Sequence, residues 1–368
     1  MKPTHLSLLL ISIFLTACNP SDRTELTKAK PEAEQEPAAP FVLSQAEDAD
    51  QATSHCNTYE DAFELHLSAE TVNCTDDFLE VIATGLPDLT SGNSEDLPMV
   101  GITSWIQRVA LPYPYDWRIP LSPNWLDEPI EASARGPIAV AVDGVPIFHY
   151  ERRPDASTSL DNYEARNDTV VQGELDQCGG HAGQGEDYHY HYAPVCLMDE
   201  HNPELPIAFG LDGTPIYFGE GGDEYYGRGR YSDLSYLPNE ALDDCNAIQL
   251  PEGGFVHFTT KTPPYVVGCH HGAFAPELQI EPRPFEALAQ RTPSPLGGRY
   301  GEPVSTLITE FEKVEDGAYR LTFESLATSG EESSILYRQP SEDCWTFEYQ
   351  TVAGGSTQPT EACRHSHE

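Results

Sequence analysis

The feature that most limits how this chain folds is a strict alternation of tyrosine and histidine, Tyr188-His189-Tyr190-His191-Tyr192. A period of two is that of a β-strand, on which successive side chains point to opposite faces. The two histidines are therefore predicted to share one face of a strand, and Tyr188, Tyr190 and Tyr192 the other. At a rise of about 3.3 Å per residue, the two histidine Cα atoms lie about 6.6 Å apart, so that both imidazoles can bind one metal ion.

The alternating strand lies between two cysteines, Cys178 and Cys196, and follows a glycine-rich run that contains His181. We expect this run to be a loop that folds back and brings His181 toward the strand as a third imidazole. Neutral imidazoles suit zinc, copper and iron, and three of them with an open position suit chemistry on a bound water. The alternative is structural, because buried histidines and tyrosines also hydrogen-bond to backbone carbonyls.

These residues resemble a family of bacterial and eukaryotic proteins that is named for its Tyr-His-Tyr-His motif. The resemblance rests on four segments and on the Asp-Gly-x-Pro-Ile stretches to either side, and it extends over roughly residues 100–283. The segments are Leu175-Asp176, Cys178-Gly179-Gly180-His181, Tyr188-His189-Tyr190-His191 and Ala193-Pro194 with Cys196-Leu197. The resemblance implies a YHYH domain and does not imply a reaction.

The N-terminus predicts export. An apolar run from Leu6 to Phe14 is too short to span a bilayer and has the length of a signal-peptide core. It ends in Leu15-Thr16-Ala17-Cys18, which resembles a bacterial lipobox, so we expect a signal peptide over residues 1–17 and a lipid-modified Cys18. Asn19, where an Asp favours inner-membrane retention, indicates the outer membrane, at its periplasmic face or the cell surface. An ordinary secreted protein is the alternative.

The next segment and the overall charge restrict the possible partners. Residues 18–54 are rich in Pro, Glu, Ala, Ser and Gln, which predicts a disordered tether. The whole chain has 20 basic and 60 acidic side chains, a net charge of -40, which excludes a nucleic-acid binder and a protein that binds anionic membrane surfaces. Contact with a membrane is expected through the lipid anchor alone, and the sequence does not identify a protein or glycan partner.

The cysteines predict a disulfide framework, because eight of the nine cysteines remain after Cys18 in a chain with an export signal. Their connectivity is not fixed by the sequence, but they fall into four neighbouring pairs and we expect local pairing. The expected pairs are Cys56 with Cys74, Cys178 with Cys196, Cys245 with Cys269, and Cys344 with Cys363. A thiolate metal site is disfavoured, since the chain contains no Cys-x-x-Cys.

An internal similarity divides the middle of the chain into two units. The segment Pro137-Ile138-Ala139, followed by Asp143-Gly144, recurs 69 residues later as Pro206-Ile207-Ala208, followed by Asp212-Gly213. Asp-Gly between β-rich runs is typical of a hairpin. Leu175-Asp176-Gln177-Cys178 has a counterpart 67 residues later, Leu242-Asp243-Asp244-Cys245. Each unit, about 136–196 and 205–272, is therefore predicted to be a hairpin, an excursion and a disulfide-closed hairpin.

The second unit lacks the His-x-His pair of the first. It has His257 in the corresponding strand, and His270 and His271 just after Cys269. If the two units face each other, these three histidines are reserve ligands for the first site.

The predicted fold class is mainly β, with the two units in one disulfide-stapled domain and a small β module after it. The domain, residues 55–283, includes lead-in strands from Phe78 and edge strands between Ile102 and Leu121. Residues 284–300 read as a linker, and alternating strands predict the module over residues 301–368.

Three classes of function follow from the sequence. The first is a surface or periplasmic lipoprotein whose histidines bind zinc or copper, with or without catalysis. The second is a binding module for a glycan or peptide, and the third is a structural lipoprotein. No hydrolase triad motif, P-loop or nucleotide-binding glycine pattern is present in the sequence, so no reaction is predicted.

Overall fold

The computed structural model describes most of the chain beyond residue 50, all of it within one compact unit, Ala38–Glu368. The signal peptide, Cys18, the tether up to residue 50 and the 284–300 linker lie outside the described residues. No helix in the described part is long and apolar enough to cross a membrane. The described ranges are 51–67, 71–87, 100–101, 108–110, 113–153, 156–176, 178–183, 187–199, 201–220, 237–238, 241–251, 253–274, 306–315, 318–325, 332–341, 344–351, 355–356 and 358–363.

The described chain begins with a helix, α1 (Gln51–Glu64), which corrects two expectations. Residues 51–54 are helical and not part of a tether, and the lead-in to the domain is not made of strands alone. Tyr59, Ala62 and Phe63 form the buried side of α1 at helical spacing. The helix was not predicted from the sequence because this apolar side is short and lies in an otherwise polar segment.

Six short strands follow α1, and they confirm the strand predicted from Phe78. They are β1 (Val72–Cys74), β2 (Phe78–Ala83), β3 (Val100–Gly101), β4 (Arg108–Val109), β5 (Tyr115–Pro120) and β6 (Asn124–Glu131). β1, β2 and β5 form an antiparallel sheet with β5 at its edge. Trp117 on β5 is buried and donates to the Gly144 carbonyl (3.0 Å), which joins this sheet to the next one.

The main sheet has eight strands. They are β7 (Pro137–Ala141), β8 (Pro146–Phe148), β9 (Gly180–Ala182), β10 (Tyr188–Tyr190), β11 (Ala208–Gly210), β12 (Pro215–Tyr217), β13 (Ala247–Gln249) and β14 (Phe255–Phe258). Their order is β13-β14-β12-β11-β7-β8-β10-β9. The neighbours are antiparallel except β8 with β10 and β12 with β14, which are parallel.

The register of this sheet assigns each side chain to one of two faces, because residues paired on neighbouring strands point the same way. Face A contains Val140, Pro146, Phe148, His189 and Phe209. The other face, face B, contains Ala139, Ala141, Ile147, Tyr190, Ala208, Ile216 and His257. Helix α1 packs on face A, where the rings of Tyr59 and Phe63 lie 4.4 and 5.5 Å from that of Phe209.

Both predicted Asp-Gly hairpin turns are present, between β7 and β8 and between β11 and β12. Gly144 and Gly213 adopt positive φ angles of 79° and 86°, which L-residues rarely adopt. A β-carbon at Gly144 would collide with Ala83 of β2, and one at Gly213 with the backbone of Pro120 of β5. Glycine at these turns therefore lets the three-stranded sheet pack against the main sheet.

We expect Gly213→Ala to lower the free energy of unfolding by several kcal/mol, because backbone strain of about 1–2 kcal/mol adds to a collision with Pro120. Gly253→Ala is the matched control, since Gly253 also has a positive φ of 96° but no atom within 4 Å of the added β-carbon. It should lose only the strain energy. Urea unfolding of both variants measures the difference, and equal losses would show that the close approach at Gly213 has no energetic weight.

Two groups of strands complete the fold. β15 (Cys269–Ala273) pairs antiparallel with β6 in a separate two-stranded sheet. The C-terminal strands confirm the predicted β segments, and their sheet order is β16-β17-β18-β19-β20 with β21 beside β19. Their bounds are β16 (Thr306–Glu315), β17 (Ala318–Ser325), β18 (Glu332–Ser341), β19 (Cys344–Thr351), β20 (Gly355–Ser356) and β21 (Thr360–Cys363).

Three of the four predicted disulfides are confirmed. They are Cys56–Cys74, Cys178–Cys196 and Cys245–Cys269, with Cα–Cα distances of 6.1, 5.0 and 4.7 Å. Cys344 lies directly opposite Cys363 in the β19–β21 register, so the backbone geometry fits the fourth predicted disulfide. The second bridge encloses the β9–β10 hairpin and the third encloses the β13–β14 hairpin. Both central hairpins are therefore covalently closed.

Candidate metal centre

Three histidines lie close together on face A, at the edge of the main sheet formed by β10 and β9. His181 on β9 lies directly opposite His189 on β10 in the antiparallel register. His191 follows the end of β10, two residues beyond His189, and so points the same way. The ring centroids are 4.9 Å apart for His181 and His189, 5.0 Å for His181 and His191, and 4.8 Å for His189 and His191.

The position of His181 differs from the expected one. It lies on a strand, and not on a loop that folds back over the site. Cross-strand pairing holds its ring against that of His189, so the site is fixed by the hairpin itself. The glycine-rich composition around His181 suggested a loop because glycine is depleted in strands.

Each of the three rings has one nitrogen occupied by an oxygen acceptor. Nδ1 of His181 donates to the Glu174 carbonyl (3.0 Å), and Nδ1 of His191 donates to the His149 carbonyl (2.6 Å). Nδ1 of His189 donates to the carboxylate of Asp187 (2.8 Å). Because a carbonyl or carboxylate oxygen accepts, each Nδ1 carries the hydrogen and each neutral ring keeps its lone pair on Nε2.

The free nitrogens converge. One ligand atom from each histidine lies within 4.8 Å of the other two, and Nε2 of His181 is 3.3 Å from Nε2 of His191. Two nitrogens that each lie about 2.0–2.1 Å from a tetrahedral zinc ion are separated by about 3.3 Å. Since both Nδ1 atoms hold their hydrogens, the two facing Nε2 atoms of the neutral rings cannot hydrogen-bond to each other. A cation between them would relieve this contact.

The pKa values of His181 and His191 are lowered. Burial lowers the pKa of His181 to about 3, with a further contribution from the neighbouring His189. The pKa of His191 is lowered well below its ordinary value, again by burial first and then by His189 and His181. All three side chains are nearly buried, with 4–5% of their surface exposed. His181 and His191 are therefore neutral imidazoles, the form that binds metal ions.

Neighbouring residues hold the histidine rings in their orientations. The ring of Phe148 on β8 stacks on that of His189, with centroids 4.1 Å apart and planes 12° from parallel. The buried carboxylate of Glu174 is paired with Arg152 (2.7 Å), and this contact holds the segment whose carbonyl accepts from His181. A hydrogen-bonded Nδ1 on each ligand is the arrangement that fixes the tautomer at protein metal sites.

The motif tyrosines point to the opposite face of β10, where two of them hydrogen-bond to buried aspartates. The hydroxyl of Tyr188 donates to Asp176 (2.7 Å), and that of Tyr190 donates to the hairpin-turn residue Asp143 (2.9 Å). Asp176 also accepts from the backbone N–H groups of Cys178 and Gly180. Burial, opposed by these hydrogen bonds, raises the pKa of Asp176 to about 7.

The expectation that His257 is a reserve ligand for this site is wrong. His257 pairs with Ile216 on β12 and lies on face B, whereas the three histidines lie on face A. Its Nδ1 donates to the Cys245 carbonyl (3.0 Å). The two units lie side by side in one sheet, so they do not face each other as that expectation required.

His270 and His271 are also outside the site, on β15. Nδ1 of His270 lies 3.6 Å from the carboxylate of Asp212, while His271 donates to Asp243 (2.8 Å) and stacks on Phe255 at 3.7 Å. Neither belongs to the group of ligand atoms formed by His181, His189 and His191.

Asp187 was not predicted as the partner of His189. A signal was available, because residues two apart on a strand share a face, and Asp187 precedes His189 by two. The contributions of Glu174 and His149 had no such signal, since they act through their backbone carbonyls, which any residue supplies.

The structure and the site together define a class: a mainly β domain, stapled by disulfides, with three buried histidines at one edge of its main sheet that could hold a metal ion. Residues 116–225 match the family described as YHYH protein, so the chain contains a YHYH domain. The matched region runs from β5 past β12 and includes all three histidines. No curated protein and no solved structure gives a significant match to the chain.

We expect Asp187→Asn to weaken metal binding by about 10–100-fold, because the loss of a carboxylate behind a ligating histidine removes charge and fixed orientation. Asp161→Asn, an exposed carboxylate distant in sequence from the site, is the control. Competition with a chromogenic chelator measures both affinities. Unchanged affinity in Asp187→Asn would show that the Asp187–His189 contact does not act on the metal.

His149 gives a pH dependence to the stability of the metal-free protein. Burial lowers its pKa from 6.5 to about 3, so the unfolded chain takes up a proton below pH 6.5 and the folded chain does not. Stability is therefore lost as the pH falls from about 6.5 toward 3, by about 1.4 kcal/mol per pH unit. Unfolding of chelator-treated His149→Gln should show a shallower acid slope than wild type, and parallel profiles would contradict this assignment.

Proposed function

We propose that the YHYH domain binds one divalent transition-metal ion through the Nε2 atoms of His181, His189 and His191. The observation that carries the proposal is the 3.3 Å contact between Nε2 of His181 and Nε2 of His191, with both Nδ1 atoms already donating to carbonyls. Two lone pairs at that distance in a buried site repel each other unless a cation lies between them.

The donor set favours zinc or copper. Imidazole suits both metals, and zinc in particular takes three protein ligands plus one open position at catalytic sites. The neighbouring carboxylate of Asp187 is engaged with His189, so the three imidazoles are the ligand set that the contacts support. Three neutral ligands leave at least one coordination position for water or another molecule, and this supports either metal-assisted chemistry or metal handling.

The test is metal analysis of protein produced without a His-tag, stripped with a chelator and reloaded with Zn²⁺ or Cu²⁺. X-ray absorption of the reloaded protein should show imidazole scattering at the distance typical of metal-bound histidine, about 2.0–2.1 Å for zinc. A weaker imidazole signal and a lower metal content in a His181→Gln/His191→Gln variant assign the lost ion to the site. A reloaded wild-type protein whose spectrum equals that of the double variant would leave the histidines a structural role in a glycan- or peptide-binding lipoprotein.

We also propose that the two units are copies of one β motif. The strand order on either side of the β7–β11 pair supports this, since β11, β12, β14 and β13 repeat the order β7, β8, β10 and β9. The parallel registers agree as well: Ile147 pairs with Tyr190, and Ile216, 69 residues later, pairs with His257, 67 residues later. In the second unit, Ile248, Val256 and Phe258 occupy the places of the three histidines and form an apolar cluster.

Export and lipidation remain part of the proposal. The lipobox-like segment ending at Cys18 and the disulfides of the folded domain support a lipid-anchored protein of the outer membrane. Fractionation of wild type and Cys18→Ala tests it. We expect the wild type in the membrane fraction and the variant released from it, and an identical distribution of the two would exclude the anchor.

A further inference from the structure

A carboxylate is buried in the second unit with a histidine as its sole ionic contact among the described residues. Asp212, in the turn after β11, has no exposed surface. Its two oxygens accept from the backbone N–H groups of Thr214 (3.1 Å) and Gly272 (2.9 Å). Within the described residues it makes no ion pair with lysine or arginine, and its sole ionic contact is His270. A buried carboxylate is stable when a cation lies close to it.

Two buried imidazoles beside this carboxylate have ring nitrogens with no hydrogen-bond partner. His257 and His270 have no exposed surface either. Nδ1 of His257 is used by the Cys245 carbonyl, which leaves the lone pair of the neutral ring on Nε2 without a partner in the described part of the chain. Both ring nitrogens of His270 also lack a hydrogen-bond partner among the described residues. Its Nδ1 lies 3.6 Å from the Asp212 carboxylate, too far for a hydrogen bond.

The first unit has a direct hydrogen bond at the corresponding place. There the turn residue Asp143 is bonded directly by the hydroxyl of Tyr190 (2.9 Å). In the second unit, His257 takes the place of Tyr190 in the sheet register, and Asp212 takes the place of Asp143. Among the described residues, Nε2 of His257 makes no hydrogen bond to Asp212, and the imidazole in contact with that carboxylate is His270.

We propose that Asp212, His257 and His270 form a second metal site, closed to solvent, that takes one divalent transition-metal ion. A carboxylate oxygen and two imidazole nitrogens are a donor set suited to Zn²⁺. The set is wider than the triad, whose ligand atoms all lie within 4.8 Å, so the ion draws the side chains together on binding. The site lies on the opposite face of the sheet from the three histidines, and it stabilises the second unit.

Metal stoichiometry of untagged protein, loaded with Zn²⁺ and dialysed, tests this site separately from the first one. We expect about two zinc ions per wild-type chain and about one in each of two variants, His181→Gln/His191→Gln and Asp212→Asn/His257→Gln. The first variant keeps the second site intact. Adding a chelator should remove its remaining ion and lower the midpoint of its unfolding transition.

The outcomes separate the two proposals. If the triad variant holds no zinc, or if wild type saturates at one ion that the triad variant lacks, the second site is excluded. If the triad variant keeps the wild-type count while the Asp212 variant loses an ion, the second site stands and the proposed function of the triad fails. Should Asp212→Asn/His257→Gln not fold, zinc content and imidazole scattering of the triad variant alone still decide. A doubly protonated His270 ring in zinc-loaded protein at neutral pH, seen by ¹⁵N NMR, would also exclude it.

Discussion

His191→Gln is expected to weaken zinc binding at the histidine site by about a hundredfold to a thousandfold. Structural zinc sites with about four ligands contribute about 10–16 kcal/mol, so one ligand accounts for roughly 3–4 kcal/mol. His191 is the ligand whose Nε2 lies 3.3 Å from that of His181, and its Nδ1 makes the shortest of the three supporting hydrogen bonds. Glutamine preserves bulk and a polar end but has no imidazole lone pair. Competition with a chelator of known affinity measures the change.

The matched control is His201→Gln. His201 is buried to the same extent as His191, but its Nε2 donates to the Leu205 carbonyl (3.1 Å) and its Nδ1 lies 3.3 Å from His66. This variant loses a buried imidazole and its hydrogen bonds without touching the metal site. We expect its stability to fall and its zinc affinity at the triad to stay the same. If both variants lose affinity equally, the loss reflects general destabilisation and the role of His191 as a ligand is wrong.

The sequence predicted the local part of the site correctly. Alternation alone places His189 and His191 on one face, because the geometry of a strand fixes it within three residues. The hairpin turns at Asp143-Gly144 and Asp212-Gly213 were equally local, since each turn needs a positive φ that glycine supplies. Such features depend on neighbours in sequence, and the sequence contains all of them.

The contacts that the sequence did not predict depend on register between distant strands. His257 was considered as a ligand because its segment repeats that of the motif, but a shift of one residue in the alternation moves a side chain to the other face. Val256, and not His257, occupies the place of His189 in the β13–β14 pair. Helix α1 was missed for a related reason: its apolar side becomes meaningful only where it meets Phe209 on the sheet.

Removal of the Cys178–Cys196 bridge by a Cys178→Ala/Cys196→Ala variant should cost about 3 kcal/mol of folding free energy, the value expected for closing a short loop. The bridge joins residues 18 apart, and its ring encloses β9 and β10, the two strands that hold His181 and His189 together. The same variant should therefore also bind zinc more weakly, by about tenfold or more, because the ligands are no longer held in place before the metal arrives.

The Cys56–Cys74 bridge provides a control of equal length, since it also joins residues 18 apart. It connects α1 to β1 and encloses none of the three histidines. By the chain-entropy argument, Cys56→Ala/Cys74→Ala should destabilise the fold by a similar amount, about 3 kcal/mol, while the zinc affinity of the folded protein stays at the wild-type value. Urea unfolding and chelator competition on both variants separate the two effects. Equal loss of affinity in both variants would mean that the Cys178–Cys196 bridge does not preorganise the site, and that the β9–β10 pairing alone holds the histidines in place.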